Sequence, residues 1–480
     1  MNWNDLNLIP AMPEIVLLSA LFVVLLVDLW LDESQRYITH YLSLLTLLLT
    51  AGVQWVVWQP ESVSAFSGMY LADGLSQTAK MVMYAAVFGL FVYARPYNQL
   101  RGIFKGEFYT LSLFALSGMS VMASAGHFLT AYIGLELLSL SLYAMIALRR
   151  DAANAAEAAL KYFVLGALAS GLLLYGISLI YGATGSLDFA TVLAQAHSSQ
   201  DNPWLLKLGL VFVLVAIAFK LGAVPFHMWV PDVYQGAPTS VAAFVGSAPK
   251  IAAVAFTHRI LVGALGTEAA DWTQMLGILA VVSLLVGNLA AIMQSNIKRM
   301  LAYSTISHMG FILLAFMGGA VGYSAALYYA LTYVLMGLAG FGVLMLLSDE
   351  EHECENIGDL AGLNQRNAWY AFLMLLVMFS MAGIPPLMGF YAKFSVIAAL
   401  LGASHVWLAV FAVIMSLVGA FYYLRVVKSI YFDTAKRDTL PQGSIAAKVL
   451  LSANGLLLLL WGVLPQSVMD WCVRALSQMM

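Results

Sequence analysis

The stretch Ala218-Phe219-Lys220-Leu221-Gly222-Ala223-Val224-Pro225-Phe226-His227-Met228-Trp229-Val230-Pro231-Asp232 decides how the chain is read. It interrupts a long apolar run with a lysine, a glycine, two prolines and a histidine. Proline removes a backbone donor and clashes with the preceding turn, so a helix interrupted near Pro225 is predicted. A lysine beside such a break, inside sequence suited to lipid, is expensive to keep and marks a functional position.

The flanking sequence is equally apolar. Of 480 residues, 62% are hydrophobic and 10% charged, against about 25% charged in a soluble domain. An all-α polytopic membrane protein is expected. The net charge of -3 gives no reason to expect nucleic acid. Two cysteines, Cys354 and Cys472, cannot supply four thiolates for an iron–sulfur cluster or a cysteine zinc site. No Lys or Arg precedes Arg36, so the basic region of a cleaved signal peptide is lacking and the first apolar run is expected to stay as a span.

A spanning helix needs about 20 apolar residues. About fourteen such runs occur, near 12–31, 37–58, 74–95, 107–125, 128–148, 156–182, 203–230, 238–262, 272–294, 300–318, 323–347, 369–400, 404–428 and 445–465. The longest connections, 348–368 and 429–444, leave no room for a soluble nucleotide- or flavin-binding domain. Basic residues fall in odd-numbered connections: Arg36, Arg101, Lys105, Arg149, Arg150, Lys298, Arg299, Arg366, Lys436 and Arg437, with Arg95 and Lys428 at their edges. Connections 2, 4, 6, 10 and 12 have none, and connection 8 has only Arg259, at a helix end. The positive-inside rule therefore places odd connections in the cytoplasm and both termini outside, on the periplasmic side of a bacterial inner membrane.

The break at Pro225 has an echo about 160 residues on, at Ala382-Gly383-Ile384-Pro385-Pro386-Leu387-Met388-Gly389-Phe390. Each break falls in the fourth span of a five-span set, so spans 7 and 12 are expected to be broken. An odd number of spans inverts one set relative to the other, an arrangement common among ion transporters. The expected organisation is 1–106 for spans 1–3, 107–262 for the first repeat, 272–430 for the second, inverted repeat, and 431–480 for span 14. Chance coincidence of two Pro/Gly breaks is the competing account.

Charge at helix ends is cheap because long side chains snorkel. Four charges lie at mid-span instead: Glu136, Lys220, Lys250 within Gly246-Ser247-Ala248-Pro249-Lys250, and Lys393, seven residues past Pro386. A structural ion pair would explain one of them; four, two beside helix breaks, point to transport. Three weaker candidates have bland alternatives. Lys161 follows Glu157 by one turn, and such a pair ordinarily stabilises a helix end. His227 follows Lys220 by seven residues and suits proton relay, or hydrogen bonding to carbonyls freed at the break. His308 sits in the polar strip Ser304-Thr305-Ile306-Ser307-His308. Lys80 reads as a near-interface lysine, Asp28 as an interface anchor, and Asp349-Glu350-Glu351-His352-Glu353 as a solvated cytoplasmic loop. Gly337, Gly340 and Gly342 follow no strand, which fits close helix packing and not a dinucleotide fingerprint.

Burial disfavours a charged lysine, and a nearby carboxylate opposes that. A Glu–Lys pair is thus a switch that holds a proton when closed and passes it on when open. Glu136, Lys220, Lys250 and Lys393 can form a polar line at mid-membrane depth. Mid-span carboxylates are too few for a dehydrated Na⁺ cage.

The stretch Phe219 to Trp229, continuing through Pro231-Asp232-Val233-Tyr234-Gln235-Gly236-Ala237-Pro238-Thr239, resembles the signature of the antiporter-like membrane subunits of respiratory complex I. Met381 to Phe394 is similar to that family's broken twelfth helix. Lys161-Tyr162-Phe163-Val164-Leu165-Gly166-Ala167, Ser170-Gly171 and the fourteen-span length resemble its N-type branch, while lysine at 393 departs from the M-type branch. The likeness is clearest over 107–430. It implies one proton-pumping module of an NADH–quinone oxidoreductase. Glu136 and Lys220 would be the paired residues, Lys250 the central relay and Lys393 the terminal one, with Lys161 and His227 accessory. It also implies no cofactor in this chain; NADH, FMN, iron–sulfur clusters and quinone would belong to partner subunits. The implied partners are another antiporter-like subunit, small membrane subunits and lipids. Three other readings stand beside it: a subunit of a multi-subunit Na⁺/H⁺ antiporter, a non-transporting assembly scaffold, and a quinone-binding subunit, for which no residue marks a headgroup site.

Overall fold

A computed structural model describes residues 6–196, 203–435 and 443–477. Lys436 and Arg437 lie outside the described residues. The protein is a mostly helical membrane protein. The first helices are α1 (Met12–Asp28) and α2 (Arg36–Val56), followed by an antiparallel hairpin of β1 (Val63–Ala65) and β2 (Tyr70–Ala72). Then come α3 (Gly74–Leu100), α4 (Gly106–Ala123), α5 (Phe128–Ile146), α6 (Ala153–Thr184), short α7 (Phe189–Ala196) and α8 (Pro203–Leu221). After a break come α9 (Trp229–Gly236), α10 (Thr239–Val245), α11 (Ala248–His258), α12 (Ala269–Ile292), α13 (Ile297–Phe316) and α14 (Gly319–Leu347). The chain closes with α15 (Leu363–Arg366), α16 (Ala368–Ala382), α17 (Met388–Gly402), α18 (Val406–Phe432), α19 (Ile445–Val463) and α20 (Pro465–Leu476). Among the described residues, eleven helical stretches are long and apolar enough to cross a membrane, and α16 and α17 are shorter apolar helices.

The most buried elements lie in the middle of the chain. The stretch Thr239–Ala264 is wholly buried, and α13 and α14 nearly so. By contrast α1, α6, α18 and α19 turn most of their surface outward, presenting large apolar side chains such as Phe22, Leu168, Leu417 and Val449. That inside-out pattern suits lipid and not water. Small residues let helices approach closely. Where α4 meets α5, a Cβ on Gly118 would lie 2.6 Å from the Gly134 carbonyl oxygen and from the Leu138 nitrogen.

Both anticipated breaks are present, between α8 and α9 and between α16 and α17. A further interruption, not anticipated, falls at Gly246–Ser247, between α10 and α11. Pro249 in the first turn of α11 restarts the helix, a position where its missing N–H costs nothing. The hairpin, α7 and α20 were also not anticipated, being too short for a spanning signal.

Burial corrects two charge readings and shows a third residue, Arg259, to be enclosed at the end of α11. Lys80 is not near-interface: it is fully buried, 2.6 Å from both a Glu14 carboxylate oxygen and the Tyr70 hydroxyl. Arg259 is likewise buried; it forks onto both carboxylate oxygens of Asp73 and donates to the Ala123 carbonyl at 3.1 Å. The acidic run is not wholly solvated, because the Glu353 side chain is 9% exposed. It accepts from the Tyr97 and Thr239 hydroxyls, each at 2.6 Å, and lies 3.4 Å from Arg101 and 3.6 Å from Lys298. In each case the charged partner is more than fifty residues away in sequence, where spacing rules do not reach.

Candidate functional site

The two breaks are built alike. At the end of α8, Gly222 has φ +81°, and at the end of α16, Gly383 has φ +85°, a left-handed region open to glycine. Gly222 N–H donates to the Phe219 carbonyl (3.0 Å) and Ala223 N–H to that of Ala218 (2.8 Å). Gly383 N–H donates to Ser380 (3.0 Å) and Ile384 N–H to Phe379 (3.0 Å). Both helices therefore end in the same glycine-capped turn, which satisfies two of the last carbonyls and leaves the final ones open.

Lysines meet those open carbonyls. Lys250 Nζ, from α11, donates to the Leu221 carbonyl at 3.3 Å and lies 5.4 Å from the Trp229 ring. Lys393 Nζ, from α17, donates to the Ala382 carbonyl and to Ser416 Oγ, each at 2.9 Å, and lies 5.3 Å from the Phe311 ring. A cation at a helix C-terminus is favoured by the helix dipole, and the aromatic faces add cation–π attraction. By contact, then, Lys393 corresponds to Lys250.

Lys220, buried in the last turn of α8, donates to Ser139 Oγ on α5 at 2.9 Å. Glu136 is three residues earlier on α5. It is half-buried and close enough to act on Lys220 through space, yet among the described residues no ion pair closes on it. Its Oε1 is enclosed without a hydrogen-bond partner. Lys220 and Lys250 are themselves within electrostatic range. Glu136 and Lys220 are thus near one another with no ion pair between them among the described residues.

Between the breaks lies a hydroxyl network. His308, buried on α13, shares hydrogen bonds with the Tyr329 hydroxyl through Nδ1 (2.7 Å) and with the Tyr423 hydroxyl through Nε2 (3.0 Å). Ser304 bonds Tyr423; Thr305 bonds Tyr333 and lies 3.4 Å from the Tyr234 hydroxyl on α9. Tyr329 stacks on Phe311, the ring beneath Lys393. The strip 304–308 gave a signal for this network; the tyrosines and Ser139 and Ser416 gave none, because Tyr and Ser are ordinary residues in spanning helices.

Two candidates lie elsewhere. Lys161 is 2.8 Å from both Glu157 and Asp232, with 45% of its side chain exposed, so the helix-end pairing with Glu157 is formed. Asp232 also binds Arg299 at 2.8 Å, joining α6, α9 and α13. His227 is half-buried in the α8–α9 break, its Nδ1 without a partner among the described residues. Among the described residues no group of three or more His, Cys, Asp or Glu is placed to hold a metal ion.

The chain is similar to several known proteins. Residues 125–419 match the family described as NADH:quinone oxidoreductase/Mrp antiporter, transmembrane. NADH-quinone oxidoreductase subunit N of Neisseria gonorrhoeae is 71% identical over 478 residues, covering 99% of each chain. A chain of respiratory complex I from Thermus thermophilus is 34% identical with a TM-score of 0.83, covering 95% of this chain and 98% of that one. A chain of the Mrp complex from Dietzia has a TM-score of 0.80 at 20% identity, covering 98% and 96%, a likeness of fold alone. The chain belongs to the NADH:quinone oxidoreductase/Mrp antiporter transmembrane family and, within it, to the subunit N family of NADH-quinone oxidoreductases.

Proposed function

We propose that the chain is a proton-translocating membrane subunit of an NADH–quinone oxidoreductase. It would relay protons at mid-membrane depth while NADH oxidation and quinone reduction proceed in other subunits. The proposed order is Glu136, Lys220, Lys250, the hydroxyl network around His308, and Lys393, with Lys161 and His227 accessory. The matched pair of helix breaks carries this reading. Two lysines too buried to be held by solvent are held by C-terminal helix carbonyls, and tyrosine hydroxyls occupy the interval between them. Hydroxyls and imidazole both donate and accept, the property a proton path needs.

The proposed architecture has fourteen spans. Adding α2, α4 and the broken pair α16–α17 to the eleven long apolar stretches reaches that number. The proposed organisation is residues 1–106, an inverted repeat pair at 107–262 and 272–430, and 431–480. It is supported by the identical capping of the two breaks. The membrane is taken to be the bacterial inner membrane with both termini periplasmic, on the strength of the Lys and Arg distribution. Proposed partners are a second antiporter-like subunit, small membrane subunits and lipids, with NADH, FMN, iron–sulfur clusters and quinone carried by partner subunits.

The test is isolation of the tagged chain from its native membrane, followed by measurement of NADH-driven proton uptake in proteoliposomes. Co-isolation of redox subunits with sodium-independent proton uptake is expected. Isolation with antiporter subunits alone, exchanging Na⁺ for H⁺, would establish the antiporter reading instead.

A further inference from the structure

We infer that Ser139 on α5 and Ser416 on α18 are positioning residues, the resting sites of the Lys220 and Lys393 ammonium groups between proton transfers. This rests on the proposed relay and adds to it two residues outside the charged set. Among the described residues these are the serines whose hydroxyls accept from a lysine, each at 2.9 Å. Other helix serines, such as Ser112, Ser117 and Ser141, bond the carbonyl four residues back. Ser139 does that too, donating to the Leu135 carbonyl at 2.7 Å while it accepts from Lys220. Ser416 Oγ lies 3.5 Å from the Ala382 carbonyl that Lys393 also uses.

The chemistry of a hydroxyl explains why it is suited to this place. An ammonium has only donors, whereas a neutral amine also has a lone pair that must find a donor when buried. A carbonyl or carboxylate can accept from either state but leaves the lone pair of the neutral amine without a donor. A hydroxyl accepts from the ammonium and, by turning its own O–H off the neighbouring carbonyl, donates to the amine. Lys220 and Lys393 therefore keep a hydrogen bond before and after losing a proton. Lys250 rests on a carbonyl and a ring face, which accept from either form but offer no donor to the lone pair of the neutral amine.

Geometry supports a resting site and not merely a contact. Ser139 is one turn beyond Glu136, so the two side chains share a face of α5, about 5–6 Å apart at Cβ. Lys220 can pass from one to the other by side-chain rotation alone. Beside the contact is a void of about 10 Å³ lined by Ser139, Tyr143, Ser170 and Lys220, room of about one water for the ammonium to swing.

The experiment uses the whole complex in proteoliposomes with Ser139→Ala, Ser139→Thr and Lys220→Ala made in this chain. Ser139→Ala is expected to lower NADH-driven proton uptake at least about tenfold, the low end for a lost hydrogen bond to a charged donor, and Ser139→Thr to restore most of it. A structure of the Ser139→Ala complex should show Lys220 moved onto Glu136. If Ser139→Ala fails to assemble, Ser139→Cys, of similar volume but a poor acceptor, is expected to show the same loss. Parent-like pumping in Ser139→Ala or Ser139→Cys, with Lys220→Ala impaired, would overturn the inference and leave the relay intact. Parent-like pumping in Lys220→Ala would overturn the relay itself.

Discussion

Each buried lysine of the proposed relay has a different set of contacts, and those contacts set what its loss should do. Among the described residues, the Lys250 ammonium meets the Leu221 carbonyl and the Trp229 ring. Lys250→Ala removes the donor at the first break and should lower coupled NADH–quinone turnover about a hundredfold, the lower end of what a proton-transfer group contributes. The complex should still assemble, since one unmet carbonyl costs only about 1–3 kcal/mol. Turnover and proton-to-electron ratio measured together decide it, and normal values for both would remove Lys250 from the relay. Glu136→Gln keeps the shape of the side chain but not its charge, so Lys220 loses its closed partner. Proton uptake per electron is expected to fall while the variant chain is recovered in normal yield. Full pumping would show that the switch is not required.

At the level of helices, the breaks depend on glycine geometry. A Cβ on Gly222 would sit in a left-handed conformation and 2.6 Å from Val230 Cγ2. The conformation costs about 1–2 kcal/mol for an L side chain, and the clash adds to it. Gly222→Ala should therefore shift α9 against α8, lower the thermal midpoint of the complex and reduce proton uptake. An unchanged midpoint with unchanged uptake would mean that the turn tolerates a side chain. The sequence pointed to both breaks through Pro225 and Pro385-Pro386 but not to the turns that end α8 and α16, because a capping turn is defined by φ and hydrogen bonds. Nor did it point to the correspondence of Lys250 with Lys393, which are on non-equivalent helices and meet equivalent carbonyls only after packing.

Across the assembled fold, Glu353 ties α3, α10, α13 and two connections together. Burial alone would raise its pKa; Lys298, the Thr239 and Tyr97 hydroxyls and Arg101 outweigh that and hold it at about 2, against an ordinary 4.5. A carboxylate whose pKa is lowered on folding stabilises the protein above its unfolded value and loses that contribution as pH falls through the folded one. The contribution is about 3 kcal/mol at neutral pH. Glu353→Gln should lower the thermal midpoint by a constant amount between pH 7 and about pH 5, and the gap should close between pH 4.5 and about 2. A gap that stays constant below pH 4 would show that packing, and not charge, accounts for it.

Composition and run length established a polytopic helical membrane protein, since lipid admits few alternatives to long apolar helices. Depth within those runs singled out Glu136, Lys220, Lys250 and Lys393, because charge is costly there whatever its neighbours. The identity of each neighbour was beyond such reasoning. Ser139 beneath Lys220, the carbonyls of Leu221 and Ala382, the tyrosines around His308, and the pairing of Lys80 with Glu14 and Arg259 with Asp73 all join residues on different elements. Whether a buried charge is a transport group or a satisfied ion pair depends on who meets it, and that is settled when the helices pack.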